Sequence, residues 1–152
     1  MKSILNDTNM SKESARRVLS QYHIKPTAQR LDIARITLYK DQHLSAEDVI
    51  MRLNSNTDGI SRATVYNTLN LFVDKGLLRR VIIDSSKIYY DSKTKPHSHY
   101  FNVDTGEILD FEFDDIKIEP SLDLPKNTLK EGVDVVIPVS YTHLTLPTTP
   151  YV

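Results

Sequence analysis

Apolar residues recur at intervals of three and four through the first half of the chain, then switch to alternation. Ala15, Val18, Leu19 and Tyr22 share one stripe behind Ser11, which predicts a helix over 12–22 with Ser11 as its N-cap. Pro26-Thr27 opens a second helix to about Tyr39, where Leu31, Ile33, Ala34, Ile36, Thr37 and Leu38 give a broad apolar face. Ser45-Ala46-Glu47-Asp48 fits a capping box and starts a third helix over 46–55, with Val49, Ile50 and Leu53 inward. A polar connection from 54 to 59 leads to Ser61, which caps a fourth helix over 62–75. Val65, Leu69, Phe72 and Val73 form its buried stripe, and Gly76 closes it.

Beyond Gly76 the period falls from 3.6 to 2. Segments 77–83 and 87–90 flank the Asp84-Ser85-Ser86 turn and predict a two-stranded hairpin. Short helices followed by a hairpin are the layout of a winged helix-turn-helix. Segments 98–103 and 107–113 read as strands around Asp104-Thr105-Gly106, a polar stretch over 114–131 follows, and 133–137 is a last strand. The expected fold class is therefore α+β, an N-terminal winged helix-turn-helix joined to a small β-rich C-terminal domain. Strands this short bury little alone, so the second part is expected to pair with another copy as a homodimer. The expected divisions are a disordered 1–10, a winged helix over 11–91, a sensing and dimerisation domain over 92–137, and a tail over 138–152.

Charge sharpens this division. Residues 1–96 hold 16 Lys/Arg against 10 Asp/Glu, about +6, whereas 97–152 hold 3 against 10, about −7. A basic head on an acidic body suggests polyanion binding by the head, although chance surface charge gives the same asymmetry. No run of about eighteen apolar residues and no signal-like start occur, which points to a soluble, cytoplasmic protein without a membrane partner. The absence of Cys excludes disulfides and a Cys-bound structural zinc.

The fourth helix carries Arg62, Thr64, Tyr66, Asn67 and Asn70 on or near the surface left by its apolar stripe, mostly in the half that enters a major groove when such a helix reads DNA. Arg pairs with guanine, Asn with adenine, and Tyr packs on a thymine methyl. Lys25, Arg30, Lys75, Arg79, Arg80 and Lys87 are placed for phosphates or a minor groove. A solvated helix face followed by an ordinary hairpin is the bland alternative.

His97-Ser98-His99 projects two imidazoles from one face of a strand. Asp91 and Asp110 flank the pair and His43 stands upstream, so an N/O shell suited to Fe(II), Mn(II) or Zn(II) is available. An isolated His-x-His is more often a surface pair. A metal-dependent enzyme uses the same ligands, but no nucleophile–base pair or Gly-rich phosphate loop accompanies them. A DNA-binding protein with a degenerate, metal-free site is the other alternative.

Several segments resemble the ferric uptake regulator superfamily in order and spacing. They are Ile24-Lys25-Pro26-Thr27-Ala28-Gln29-Arg30, His43-Leu44-Ser45-Ala46-Glu47-Asp48, Ala63-Thr64-Val65-Tyr66-Asn67-Thr68-Leu69, Gly76-Leu77-Leu78, His97-Ser98-His99, Thr105-Gly106-Glu107 and Asp110-Phe111. The resemblance implies a homodimeric, metal-responsive repressor of double-stranded DNA operators, not an enzyme. The metal site of the peroxide-sensing branch falls on His43, Asp91, His97, His99 and Asp110. Lys25 matches the family's minor-groove lysine and Tyr66 its base-contacting tyrosine.

Three departures stand out. Asn102 and Thr105 occupy the first of the Cys-pair positions that hold structural zinc in many members. Asn67 replaces the usual Arg after the tyrosine, and Pro96 and Ser98 replace ligand types of a secondary site. Together these resemble the Cys-free iron-response-regulator branch, which adds heme to the candidate effectors; that branch has three His in a row where this chain has Pro96-His97-Ser98-His99.

The stretch 139–152 resembles the translation of a transposase-type sequencing adapter, with a genuine Thr/Pro-rich tail as the alternative. The native chain is expected to end near Ile137, with Pro138 a junction codon and His143 outside the ligand count.

Overall fold

A computed structural model of the chain describes residues 9–54, 59–84, 86–95, 97–112, 123–130 and 133–142. The chain divides into two compact units, Met1–Lys95 and Pro96–Val152. The sequence places this division at 91/92. Ser92 remains with the first unit because its hydroxyl donates to Lys40 O and its backbone N–H to Gln42 O.

In the first unit, α1 spans Lys12–Gln21, and the Ser11 hydroxyl accepts the Ser14 N–H at 3.1 Å, as the N-cap pattern predicts. His23 turns the chain with φ 58°, which brings Ile24 back into the core. Thr27 caps α2, Ala28–Thr37, whose Leu31, Ile33, Ala34, Ile36 and Thr37 are buried. The helix stops two residues short of the predicted Tyr39. Asn9 and Met10, expected to be disordered, are held by Arg35, which donates to Asn9 Oδ1 and Met10 O. The rest of that N-terminal stretch lies outside the described residues, as does most of the 54–59 connection.

His43–Ser45 forms a strand, β1, that periodicity does not reveal. Ser45 then begins α3, Ala46–Asn54, through a reciprocal box: its N–H donates to Asp48 Oδ2 at 2.9 Å and its Oγ accepts the Asp48 N–H at 3.1 Å. Helix α4 spans Arg62–Asp74 behind the Ser61 cap. Gly76 closes it at φ 83°, a left-handed conformation that costs glycine little. Strands β2, Arg79–Asp84, and β3, Lys87–Asp91, follow. The expected two-stranded hairpin is a three-stranded sheet of order β1-β3-β2. Leu19, Leu31, Ile33, Val49, Leu53, Val65, Leu69 and Phe72 fill the core between helices and sheet. Thr68 joins the buried stripe of α4, while Val73 is only half-buried.

The second unit is a sheet of order β5-β4-β6, built from β4, Ser98–Asn102, β5, Ile108–Phe111, and β6, Val136–Val139. β4 and β5 form the predicted antiparallel hairpin. β6 runs parallel to β4 and lies further along the chain than the predicted 133–137. Pairing decides this position, because His99 N–H donates to Val135 O and Val103 N–H to Val139 O. Pro138 and Val139, assigned above to the junction and tail, therefore lie in the strand. Proline is tolerated there because β6 is an edge strand. Residues 113–122, Pro96 and His143 lie outside the described residues.

Candidate metal centre and recognition helix

Antiparallel register puts His43 directly opposite Asp91, at the start of β1 and the end of β3. Directly opposed residues share a sheet face, and here His43 Nε2 lies 3.1 Å from Asp91 Oδ2. The other carboxylate oxygen, Oδ1, accepts the Lys93 N–H at 2.9 Å, which orients the group. Asp91 is fully buried. Arg79 is the β2 register partner of Asp91, so it leaves the sheet on the same face as the His–Asp pair.

The second unit gathers its own donors. His99 is opposite Asp110 in the β4–β5 ladder, and His97 lies two positions earlier on the same face. Nε2 of each imidazole is 3.3 Å from the same oxygen, Asp110 Oδ1. The two rings meet edge to face with centroids 4.5 Å apart. His97 and His99 are buried, and one donor atom from each of these three residues lies within 4.8 Å of the others. Two imidazole nitrogens and one carboxylate oxygen that converge in a buried site are satisfied either by N–H donation from the rings or by a cation held among them. The three residues could hold a cation, and their nitrogen and oxygen donors suit a borderline or hard divalent ion.

The turn between β4 and β5 is held by side-chain acceptors. Asn102 Oδ1 accepts the N–H groups of Asp104 at 2.9 Å and Thr105 at 3.3 Å, and Thr105 Oγ1 accepts that of Glu107 at 3.2 Å. Asn102 and Thr105 thus cap this turn with their own side chains.

On α4, Arg62, Tyr66 and Asn67 are exposed and Thr64 is half-buried. Asn67 and Thr64 line a groove of about 310 Å³ with Thr27, Gln29 and Arg30 at the start of α2. Arg30 folds back to donate to Lys25 O at 3.0 Å, and Lys25 is exposed. A second groove, of about 330 Å³, is bounded by Glu47, Tyr66, Lys87, Ile88 and Tyr90. Arg62 is ion-paired with Glu47, whose hydrogen bond and charge hold the guanidinium above its ordinary value. Arg80 donates to Asn70 Oδ1 at 2.8 Å, tying the wing to α4. Burial pushes the Tyr90 phenol up, opposed by nearby Arg80.

Spacing along the chain identifies the exposed residues of α4 but misses Glu47 as the partner of Arg62. It reads as a capping residue because local pattern does not report contact between two helix starts. His23 is exposed.

The ferric uptake regulator family profile matches residues 21–132. The peroxide-responsive repressor PerR of Staphylococcus aureus is 32% identical over 95 residues, which cover 62% of this chain and 64% of that protein. The match thus spans less than two thirds of this relative's length. Among solved structures, the Vibrio cholerae ferric uptake regulator gives a TM-score of 0.62 at 23% identity, over 83% of this chain and 98% of that one. The Pseudomonas aeruginosa regulator, solved with manganese, gives 0.60 at 24% identity, over 87% and 98%. These structures share the fold, with a helical, winged first unit and a β-rich second one. With the profile covering most of its length, the chain belongs to the ferric uptake regulator family.

Proposed function

We propose that the chain is a metal-responsive transcriptional repressor, acting in the cytoplasm as a homodimer on palindromic double-stranded DNA, rather than an enzyme. His43, Asp91, His97, His99 and Asp110 are the proposed ligands of one divalent cation. The observation that carries this reading is the approach of His97 Nε2 and His99 Nε2 to a single oxygen of Asp110, 3.3 Å each, in a buried site. His43 and Asp91, opposed in the first unit, are the remaining members of the ligand set that the resemblance implies. A divalent cation there supplies the positive charge that these nitrogen and oxygen atoms would share. Fe(II), Mn(II) and Zn(II) all suit such donors; the relative solved with manganese makes Mn(II) the first to test.

Ligands drawn from both units would make metal occupancy and the placing of the DNA-reading helix one equilibrium. Binding both ligand groups favours whichever arrangement of the two units presents all five, and it shifts the population only by the difference in affinity. In a dimer, only a fixed spacing of the two heads serves half-sites about one helical turn apart.

Lys25, Arg30, Arg62, Thr64, Tyr66, Asn67 and Arg80 form the proposed DNA surface. Tyr66 and Asn67 face base edges, and the basic groups face phosphates or grooves. Arg79, expected from the sequence among them, belongs to the same proposed surface, and its register position in β2 is opposite Asp91.

Titration with Mn(II), Fe(II), Zn(II) and heme, read by selection from a random-sequence duplex pool, tests the proposal. Metal-dependent enrichment of a palindrome, lost with chelator and in His97→Ala, is expected. Chelator-insensitive enrichment would favour a metal-free DNA-binding protein, and heme-dependent enrichment would replace the divalent ion as effector.

A further inference from the structure

We propose that Gln42 and Ser92 are positioning residues that set the cation affinity of the His43–Asp91 pair. The inference rests on the metal reading above and names residues outside the ligand set.

The pair sits where a sheet is weakest. His43 is the first residue of β1, a strand of three residues, and Asp91 is the last residue of β3. Terminal ladder positions fray, and a ligand pair that must be ordered on binding loses affinity. Just past both ends the chain is stitched together. Gln42 N–H donates to Ser92 Oγ at 3.2 Å, and Ser92 N–H donates to Gln42 O at 3.4 Å. Ser92 Oγ in turn donates to Lys40 O at 2.9 Å. These bonds extend the β1–β3 pairing by one step beyond the ligands, with a hydroxyl in place of a carbonyl.

The Gln42 side chain anchors this stitch to two helices. Its Nε2 donates to Ile36 O at 2.7 Å and to Thr37 O at 3.3 Å, carbonyls at the end of α2 that have no later helical N–H to accept. Its Oε1 accepts from Arg52 Nη1 of α3 at 3.2 Å. One amide therefore joins α2, α3 and the residue before His43. Asp91 is fixed from its other side by the Lys93 N–H, which leaves Oδ2 facing His43. Gln42 and Ser92 touch no proposed donor atom in these bonds, so they act by holding the backbone on which the donors stand. Outer partners of metal ligands commonly change affinity by about 10–100-fold when removed.

The test uses the full chain with Co(II) as a spectroscopic probe and Mn(II) as a competitor. Gln42→Ala and Ser92→Ala are expected to weaken Co(II) and Mn(II) binding by roughly tenfold. Their Co(II) absorption should move towards that of His43→Ala. Ser92→Thr, which retains the hydroxyl, should bind as wild type, and the loss of affinity in the alanine variants should exceed what any fall in their melting temperature in chelator accounts for. Wild-type affinity and spectrum in both alanine variants overturn the inference. It also fails if their melting temperature in chelator falls in step with affinity, or if Ser92→Thr behaves like Ser92→Ala. A wild-type chain that takes up neither ion overturns the metal reading itself, and the inference with it.

Discussion

Arg62, in the first turn of α4, is ion-paired with Glu47, in the first turn of α3, although their side chains are 61% and 51% exposed. Exposed pairs of this kind add little stability. On the proposed function their consequence lies in DNA binding, because the same guanidinium cannot serve Glu47 and a phosphate or guanine at full strength. Glu47→Gln is expected to tighten binding to random-sequence DNA several-fold and to steepen the log–log salt dependence by about one unit, as one more phosphate is neutralised. Fluorescence titrations at a series of salt concentrations measure both. An unchanged slope would mean that Arg62 contacts no phosphate in the complex.

Asp110 accepts the approach of two imidazoles through one oxygen, so its charge matters more than its size. Asp110→Asn should lower Mn(II) affinity at least about tenfold while the chelated protein remains folded. Calorimetric titration beside a thermal melt separates the two effects. Retained affinity would remove Asp110 from the ligand set.

Asn102 caps the turn between β4 and β5. Asn102→Ala deletes the acceptor for two backbone N–H groups and is expected to cost about 1–2 kcal/mol. Hydrogen exchange at Asp104 and Thr105 should speed up in this variant. Unchanged exchange there would show that the turn does not depend on the side chain.

Phe72 is fully buried where α4 meets the first unit's core. Phe72→Ala is expected to cost about 3–5 kcal/mol through lost burial and a residual cavity. Urea denaturation at constant slope measures it; a loss below about 1 kcal/mol would mean that the core closes over the gap.

The four helices and the β2–β3 and β4–β5 hairpins were legible in the sequence because their causes are local. Caps such as Ser11, Ser45 and Ser61 bond three residues ahead, apolar stripes repeat within one turn or two, and Gly76 marks its own left-handed stop. The candidate ligands were legible as residue types at matching spacings. Their contacts were not, since Nε2 of His43 meets Asp91 only after β1 and β3 find their register.

The tertiary structure alone decided the features that depend on distant partners. β1 has three residues, too few to show a period, and exists because β3 offers it a ladder. β6 takes Val136–Val139 because β4 sets its pairing, whatever the hydropathy of the preceding residues. Gln42 and Ser92 meet across 50 positions, and Glu47 finds Arg62 across 15, separations at which no local signal survives. Sequence by itself determined the helices, the two hairpins and the inventory of donors. Folding determined which side chains share a face, because facing is a property of pairing between segments and not of any one of them.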